Sequence, residues 1–232
     1  MNILLSGGAG YIGSNLAYFL LDNGCKVIIV DDLSSGSLDL VPNEALFYKS
    51  DVDDEKAINK IFNANKIDAV VHLAGKIVVS ESVINPLKYY LNNTVKTIKF
   101  FEICVKNNVG NFIFSSTASV YGKKSEGKIN EESKLNPINP YAKSKLFCEE
   151  MLNDIAKQNK INIAILRYFN VAGADSKGRA GQISKPATHL IKVGCETALG
   201  LRKSINVFGN DYNTPDGTCM RDYIHVTDCP SF

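Results

Sequence analysis

Short apolar runs alternate along this chain with longer stretches whose apolar positions recur at helical spacing. Asn2–Ser6 (NILLS), Lys26–Val30 (KVIIV), Asp68–Ala74 (DAVVHLA), Asn111–Ser116 (NFIFSS) and Asn162–Tyr168 (NIAILRY) are runs of the first kind, and Ala45–Ser50 (ALFYKS) adds another. Continuous Val/Ile/Leu runs suit strands buried on both faces, as inside a parallel sheet. Helices are predicted over Ile12–Asn23, Asp54–Asn65, Pro86–Asn107 and Pro140–Gln158, with Pro86 tolerated in a first turn. The alternation predicts an α/β fold, a doubly wound parallel sheet of about 170 residues, within the usual size of one domain.

After Tyr168 the pattern loosens. Gly173–Gly181 is rich in glycine and polar residues, Thr188–Leu199 reads as a helix and Ile205–Gly209 (INVFG) as a strand. The expected division is residues 1–170 for the sheet domain and 171–232 for part of a smaller, loop-rich lobe.

Composition changes this picture little. The 232 residues are 45% hydrophobic and 22% charged, with a formal net charge of +2. That balance gives no case for nucleic acid or an anionic membrane as partner. The apolar N-terminus lacks a cationic start, and glycines interrupt it before it could span a bilayer, so a cytoplasmic address is the expectation. Six scattered cysteines form no CxxC and read as reduced thiols, and three dispersed histidines show no ligand spacing, so no metal site is expected.

The chemistry begins in SGGAGYIGS, between the first strand and first helix. It reads G-x-G-x-x-G at Gly8, Gly10 and Gly13, or G-x-x-G-x-x-G counted from Gly7. Such a turn lets backbone approach a pyrophosphate, and the helix N-terminus offers it unpaired N–H groups. Asp31 ends the second strand, where a carboxylate would take a ribose 2′-hydroxyl and repel a 2′-phosphate. NAD is therefore expected over NADP. Asp51 and Val52 stand where an adenine could sit, and the small residues of Leu73-Ala74-Gly75 would let a cofactor approach.

Tyr141 and Lys145 stand four apart at the opening of a predicted helix, on one face of it. A cation beside a phenol favours the phenolate and brings a tyrosine nearer to working as a base. Ser115, Ser116 and Thr117, at the end of a strand, could complete a hydroxyl relay. The alternative is a packed tyrosine and a solvated lysine.

Taken with GGAGYIGSN, DDLSSG, PLKYYLNN, FIFSSTASVYG, NPYAKSK, LRYFNVAGA and FGNDYNTPDGTCMRDYIHV, these residues resemble the extended short-chain dehydrogenases/reductases, and within them the UDP-glucose 4-epimerase branch. The resemblance implies an NAD-binding Rossmann domain and an enzyme that epimerises C4 of a UDP-hexose through a transient 4-keto sugar. UDP-glucose, UDP-galactose and the N-acetylated forms are the substrates in view, serving galactose metabolism and glycan precursor supply. Tyr141 would be the acid/base, Thr117 its hydroxyl partner, and Lys145 the residue that holds the nicotinamide ribose and lowers the tyrosine pKa. Gly7, Gly10, Tyr11, Ile12, Gly13, Asp31, Asp51, Val52, Leu73, Ala74, Gly75, Asn92, Tyr141, Lys145 and Tyr168 would bind the cofactor. Thr117, Phe169, Asn170, His189, Leu190 and Arg221 would face the UDP-sugar. The resemblance also allows a homodimer.

Three differences from relatives matter. Related dehydratases carry an acidic pair after the catalytic Thr, whereas Ala118 and Ser119 follow Thr117 here, which counts against dehydration. Some relatives place a lysine at the position of Ile77, beside Lys76. After RDYIHVTD the family continues with a substantial further segment, while this chain reads CPSF. The expectation is an incomplete UDP-sugar lobe, CPSF resembling a shifted reading frame or an imposed boundary. A weakly active epimerase, a non-catalytic NAD-binding remnant and a related nucleotide-sugar dehydratase or reductase remain the alternatives.

Overall fold

A computed structural model describes residues 1–123, 127–184 and 188–229. Strands β1 (Asn2–Ser6), β2 (Lys26–Asp31), β3 (Leu46–Lys49), β4 (Ala69–His72), β5 (Asn111–Ser115) and β6 (Asn162–Leu166) form one six-stranded sheet in the order β3-β2-β1-β4-β5-β6. Every pairing is parallel, with Ile3 opposite both Val27 and Ala69. The order reverses between β1 and β4, so a crevice opens beyond their carboxyl ends, where doubly wound sheets take ligands.

Helices α1 (Tyr11–Asp22), α2 (Glu55–Ala64), α5 (Lys96–Lys106) and α6 (Pro140–Asn159) cover the two faces. Because strand side chains alternate, Leu4, Ile28 and Val70 enter one core with Phe100, Phe101, Phe112 and Leu152. Ile3, Leu5, Val27, Ile29 and Val71 enter the other with Ala17. Side-chain caps fix two helix starts: Asp54 accepts from Ala57 N, and Asn139 from Ala142 N at 2.8 Å. The second cap, followed by Pro140 in the first turn, sets where Tyr141 falls on α6.

Three sequence expectations are corrected. The helix expected over Pro86–Asn107 is α4 (Pro86–Tyr89), a π-helical turn (Tyr90–Val95) and α5. The widened turn inserts one residue into the helical frame, which a uniform 3.6-residue period does not reveal. Ile205–Gly209 forms no strand: the backbone there has no pairing partner, and Val207 and Phe208 are exposed. Tyr223–His225 (β8) is a strand instead, parallel to Asn170–Ala172 (β7) in a separate two-stranded sheet. A six-residue helix, α3 (Val79–Ile84), was not expected, and the expected helix Thr188–Leu199 is found as α7 (Leu190–Ala198). All six cysteines are free thiols. No described helix is long and apolar enough to cross a membrane.

Candidate active site

The glycine turn joins β1 to α1 at the carboxyl edge of the sheet. Gly7 has φ +75°, and a Cβ there would lie 2.7 Å from Ala74 N. A Cβ on Gly13 would lie 2.3 Å from the Gly7 carbonyl oxygen. Neither position admits a side chain without moving backbone, so Gly7 and Gly13 bracket the frame that the fold uses. Gly10 caps α1 with no side-chain hydrogen bond and no acidic residue in the first turn. The first-turn amides thus meet no side-chain acceptor, which fits a pyrophosphate.

Asp31, the last residue of β2, is buried beside this turn. Its Oδ2 accepts from Ala9 N at 3.0 Å and its Oδ1 from Leu33 N at 2.8 Å. Burial pushes its carboxyl above the ordinary value, against the two amides that favour the ionised form. Each oxygen keeps a lone pair for a vicinal diol. The residues present therefore fit a dinucleotide carrying a free 2′-hydroxyl. Asp51 is engaged by the Lys96 ammonium, a partner the sequence did not signal, and Val52 packs into the larger core.

On α6, Tyr141, Lys145 and Glu149 follow at four-residue intervals, and all three are buried. Lys145 Nζ donates to the Ser115 carbonyl at 2.9 Å and lies 4.9 Å from the Phe114 ring centroid. Burial pushes Lys145 down to about 8, while Cys148 and Glu149 act to raise it. A Cβ on Gly75 would come within 3.2 Å of that ammonium, so Gly75 leaves the room that Lys145 faces. The Tyr141 ring meets Tyr89 edge-on at 6.4 Å. Burial raises the Tyr141 phenol, and a hydrogen bond with the Thr117 hydroxyl pulls it partly back. The lowering expected from Lys145 is absent in the protein alone, where its ammonium donates to the Ser115 carbonyl and the Thr117 hydroxyl is what opposes burial.

Tyr168 closes the same space. Its hydroxyl pairs with Ser115 Oγ, its carbonyl accepts from Ala118 N at 3.1 Å, and burial holds its phenol well above the ordinary value. The π-helical turn presents two asparagines in different states. Asn93 is buried, with Oδ1 accepting from Lys76 N at 2.8 Å and Nδ2 donating to the Lys76 carbonyl at 2.9 Å. Asn92 is half-buried and its side chain makes no hydrogen bond among the described residues, which leaves it available to a ligand. Asn93, missed by sequence reading, holds the chain just beyond Gly75.

The residues expected to face a UDP-sugar are less gathered. Asn170 begins β7 and donates from Nδ2 to the Asp222 carbonyl at 3.0 Å. His189 caps α7 without a side-chain hydrogen bond, and its partial burial lowers its pKa. Phe169, Leu190 and Arg221 are exposed, Arg221 donating only to the Met220 carbonyl at 2.8 Å. Glu149 and Arg167, whose ion pair lies behind the site, also escaped the sequence reading. The face that Tyr141 and Lys145 share, extended by one turn, points to Glu149.

Comparison with known proteins places this geometry. Residues 3–231 match the model of the NAD dependent epimerase/dehydratase family. The chain is 46% identical over 226 residues to UDP-glucose 4-epimerase of Azospirillum brasilense, covering 97% of this chain and 65% of that protein. It superposes on the Bifidobacterium longum UDP-glucose 4-epimerase, solved with NAD+ and UDP, with a TM-score of 0.94 at 38% identity. That match covers 100% of this chain and 71% of the other. The UDP-Glc/GlcNAc 4-epimerase of Campylobacter jejuni is 46% identical with a TM-score of 0.83, covering 99% of this chain and 72% of its own. The chain therefore spans about two-thirds of the length of these relatives. A family model matched over nearly the whole chain and relatives 38–46% identical agree: the chain belongs to the NAD dependent epimerase/dehydratase family.

Proposed function

We propose that this chain binds NAD and acts as a UDP-hexose 4-epimerase, residues 1–170 holding the dinucleotide and residues 171–232 forming part of the lobe that receives the UDP-sugar. The observation that carries the reading is the buried Tyr141–Lys145 face, opening onto the cleft beside Gly75 and the Gly7 turn. The relatives named above, three 4-epimerases of UDP-sugars of which one was solved with NAD+ and UDP, support the substrate class.

The first-turn amides of Tyr11, Ile12 and Gly13 would hold the pyrophosphate, in a turn shaped by Gly7 and Gly10, whose own amides donate to the Val30 and Gly7 carbonyls, and Asp31 would hold the adenosine ribose. Asp51 and Val52 would border the adenine, while Leu73, Ala74, Gly75, Asn92 and Tyr168 would line the nicotinamide half. When bound, NAD supplies a hydride acceptor and donor together with a positively charged ring. Until a cation lies beside it, the Tyr141 phenol keeps its proton at neutral pH, because burial favours the neutral form. Lys145 would release the Ser115 carbonyl to hold the ribose hydroxyls. Tyr141 would then take the proton of the sugar 4-hydroxyl, with the Thr117 hydroxyl fixing the 4-oxygen, and return it after the sugar presents its other face. Phe169, Asn170, His189, Leu190 and Arg221 would bind the UDP portion, Arg221 offering a guanidinium fork to the diphosphate.

A homodimer is the proposed assembly. Leu87, Leu91, Val95 and Ile98 recur at three- to four-residue spacing along α4, the π-helical turn and α5, and remain exposed beside Phe147. A second copy would cover such a stripe. The cytoplasm is the proposed compartment. The second reading, a non-catalytic NAD-binding remnant, is favoured by one observation: Phe169, Leu190 and Arg221 stand open to solvent.

The test is conversion of UDP-galactose to UDP-glucose by the 232-residue chain and by Tyr141→Phe, with NAD binding measured for both. Epimerisation that disappears in Tyr141→Phe with NAD retained supports the enzyme. NAD binding without turnover in either protein supports the remnant, a 4-keto product released to solution supports the dehydratase, and net consumption of added NADH supports the reductase.

A further inference from the structure

One turn beyond Lys145, α6 carries Glu149, whose side chain is 2% exposed. Its Oε1 takes the Ser116 hydroxyl and Arg167 Nε at 3.2 Å, and its Oε2 takes Arg167 Nε at 3.0 Å and Nη2 at 2.6 Å. Arg167 gives Nη1 to the Tyr121 hydroxyl at 3.0 Å and to the Glu131 carbonyl, and lies 5.2 Å over the Tyr121 ring. A buried ion pair is a weak source of net stability, since desolvation offsets most of its attraction and an apolar pair of similar volume would serve as well. Its placement explains more. Ser116 immediately precedes Thr117, Arg167 immediately precedes Tyr168, and Glu149 stands four residues after Lys145. Two backbone bonds, Ser116 N to the Leu166 carbonyl at 2.9 Å and Ala118 N to the Tyr168 carbonyl, fasten the same two segments. The three chain segments that carry Thr117, Tyr168 and Lys145 therefore meet at one carboxylate.

We propose that Glu149 is a positioning residue: through Ser116 and Arg167 it sets Thr117 and Tyr168 against Tyr141, and it supplies the fixed negative charge behind Lys145. The proposal rests on the Tyr141–Lys145 chemistry given under Proposed function. The groups facing Lys145 are the Ser115 carbonyl and Phe114 ring on β5, His72 on β4, the Asn93 amide beside Gly75, and Cys148 and Glu149 on α6. Glu149 is the one carboxylate among them. It opposes the burial that drives Lys145 towards its neutral form, so its removal displaces the lysine titration to lower pH. The thiol of Cys148 is itself pushed up to about 11 by burial, and so carries no charge at neutral pH.

The test compares Glu149→Gln, Arg167→Lys and the double variant Glu149→Gln/Arg167→Met with the unaltered chain. The last leaves no unpaired buried charge, and it carries the comparison if Glu149→Gln does not fold. Three quantities are read: the Lys145 ammonium titration by NMR of lysine-labelled protein (assigned with Lys145→Met), NAD affinity, and kcat and KM for UDP-galactose across pH. For Glu149→Gln the Lys145 titration and the alkaline limb of kcat should move down by roughly half a pH unit or more, whereas the double variant, which removes opposite charges together, should show a smaller shift. Misplacement of reacting groups should lower kcat by roughly ten- to a hundredfold with KM little changed. Arg167→Lys, which keeps the charge, should leave the Lys145 titration in place. An unchanged Lys145 titration in a folded Glu149→Gln overturns the proposal, as does unaltered kcat in the folded double variant or a loss of kcat that merely tracks melting temperature across the set. Absence of turnover in the unaltered chain refutes the enzymatic reading instead, and the lysine titration still decides the role of Glu149.

Discussion

His72 should make this fold acid-sensitive well above the carboxylate range. The imidazole ends β4 with 1% exposure, Nδ1 paired with Ser6 Oγ at 2.5 Å and Nε2 with Thr97 Oγ1 at 2.8 Å. Phe100, Phe112 and Phe114 surround it at centroid distances of 5.1 to 6.2 Å. Burial, aided by the Lys145 charge, pushes its pKa down to about 3 from 6.5. Between those values the unfolded chain binds a proton that the folded chain refuses, so stability falls as pH falls, by up to about 1.4 kcal/mol per pH unit. Between pH 7.5 and 5 the loss integrates to about 2 kcal/mol, and by pH 3 it reaches about 4 kcal/mol. Asp31 works in the opposite sense: its raised carboxyl pKa means that acidification relieves a penalty in the folded state. A comparison of variants separates the two. Urea unfolding followed by far-UV circular dichroism at pH 7.5, 6 and 5 should show a steeper loss for the unaltered chain than for His72→Gln, whose amide does not titrate. Parallel stability profiles for the two proteins over that range would refute the reasoning.

Further outcomes follow from geometry already described. Gly13→Ala should abolish NAD binding and destabilise the fold, because its Cβ meets the Gly7 carbonyl at 2.3 Å; wild-type affinity by isothermal calorimetry would contradict the turn geometry. Asn139→Ala removes the α6 cap and should cost about 1 kcal/mol in chemical denaturation. In Asp31→Asn the charge that excludes a 2′-phosphate is gone, so the preference for NAD over NADP should narrow; an unchanged ratio of dissociation constants would assign the discrimination elsewhere.

The sheet was legible because its strands are buried on both faces. Runs such as NILL and VIIV have no polar interruption, and helical spacing filled the intervals between them. The π-helical turn was not legible, since one inserted residue hardly alters the apolar period, yet it is what separates the half-buried Asn92 from the buried Asn93. β7 and β8 were missed because three-residue strands carry too few positions to show alternation, and their pairing joins residues 170–172 with 223–225. INVFG misled for the complementary reason: strand-forming residues form a strand only where a neighbouring backbone receives them. At the site, the i, i+4 spacing placed Tyr141 and Lys145 correctly on one buried face. It could not reveal that Lys145 would bond the Ser115 carbonyl, which depends on how close β5 lies to α6.

The short sheet of β7 and β8 bears on how such a lobe can diversify. Ala172 and Tyr223 leave and rejoin the protein on adjacent, parallel strands, and the first of these follows Tyr168 by only one residue, Phe169. Residues 173–222 thus form an excursion that leaves from the far end of β7 and returns at Tyr223, opposite Asn170 and two residues from the tyrosine at the cleft. Lys177 and Arg179 within it pair with Asp22 at the end of α1, so its departing end is fastened to the first helix as well. Between Arg179 and Tyr223 the excursion is a cassette, and the Asp22 pairs together with β7 and β8 are its socket.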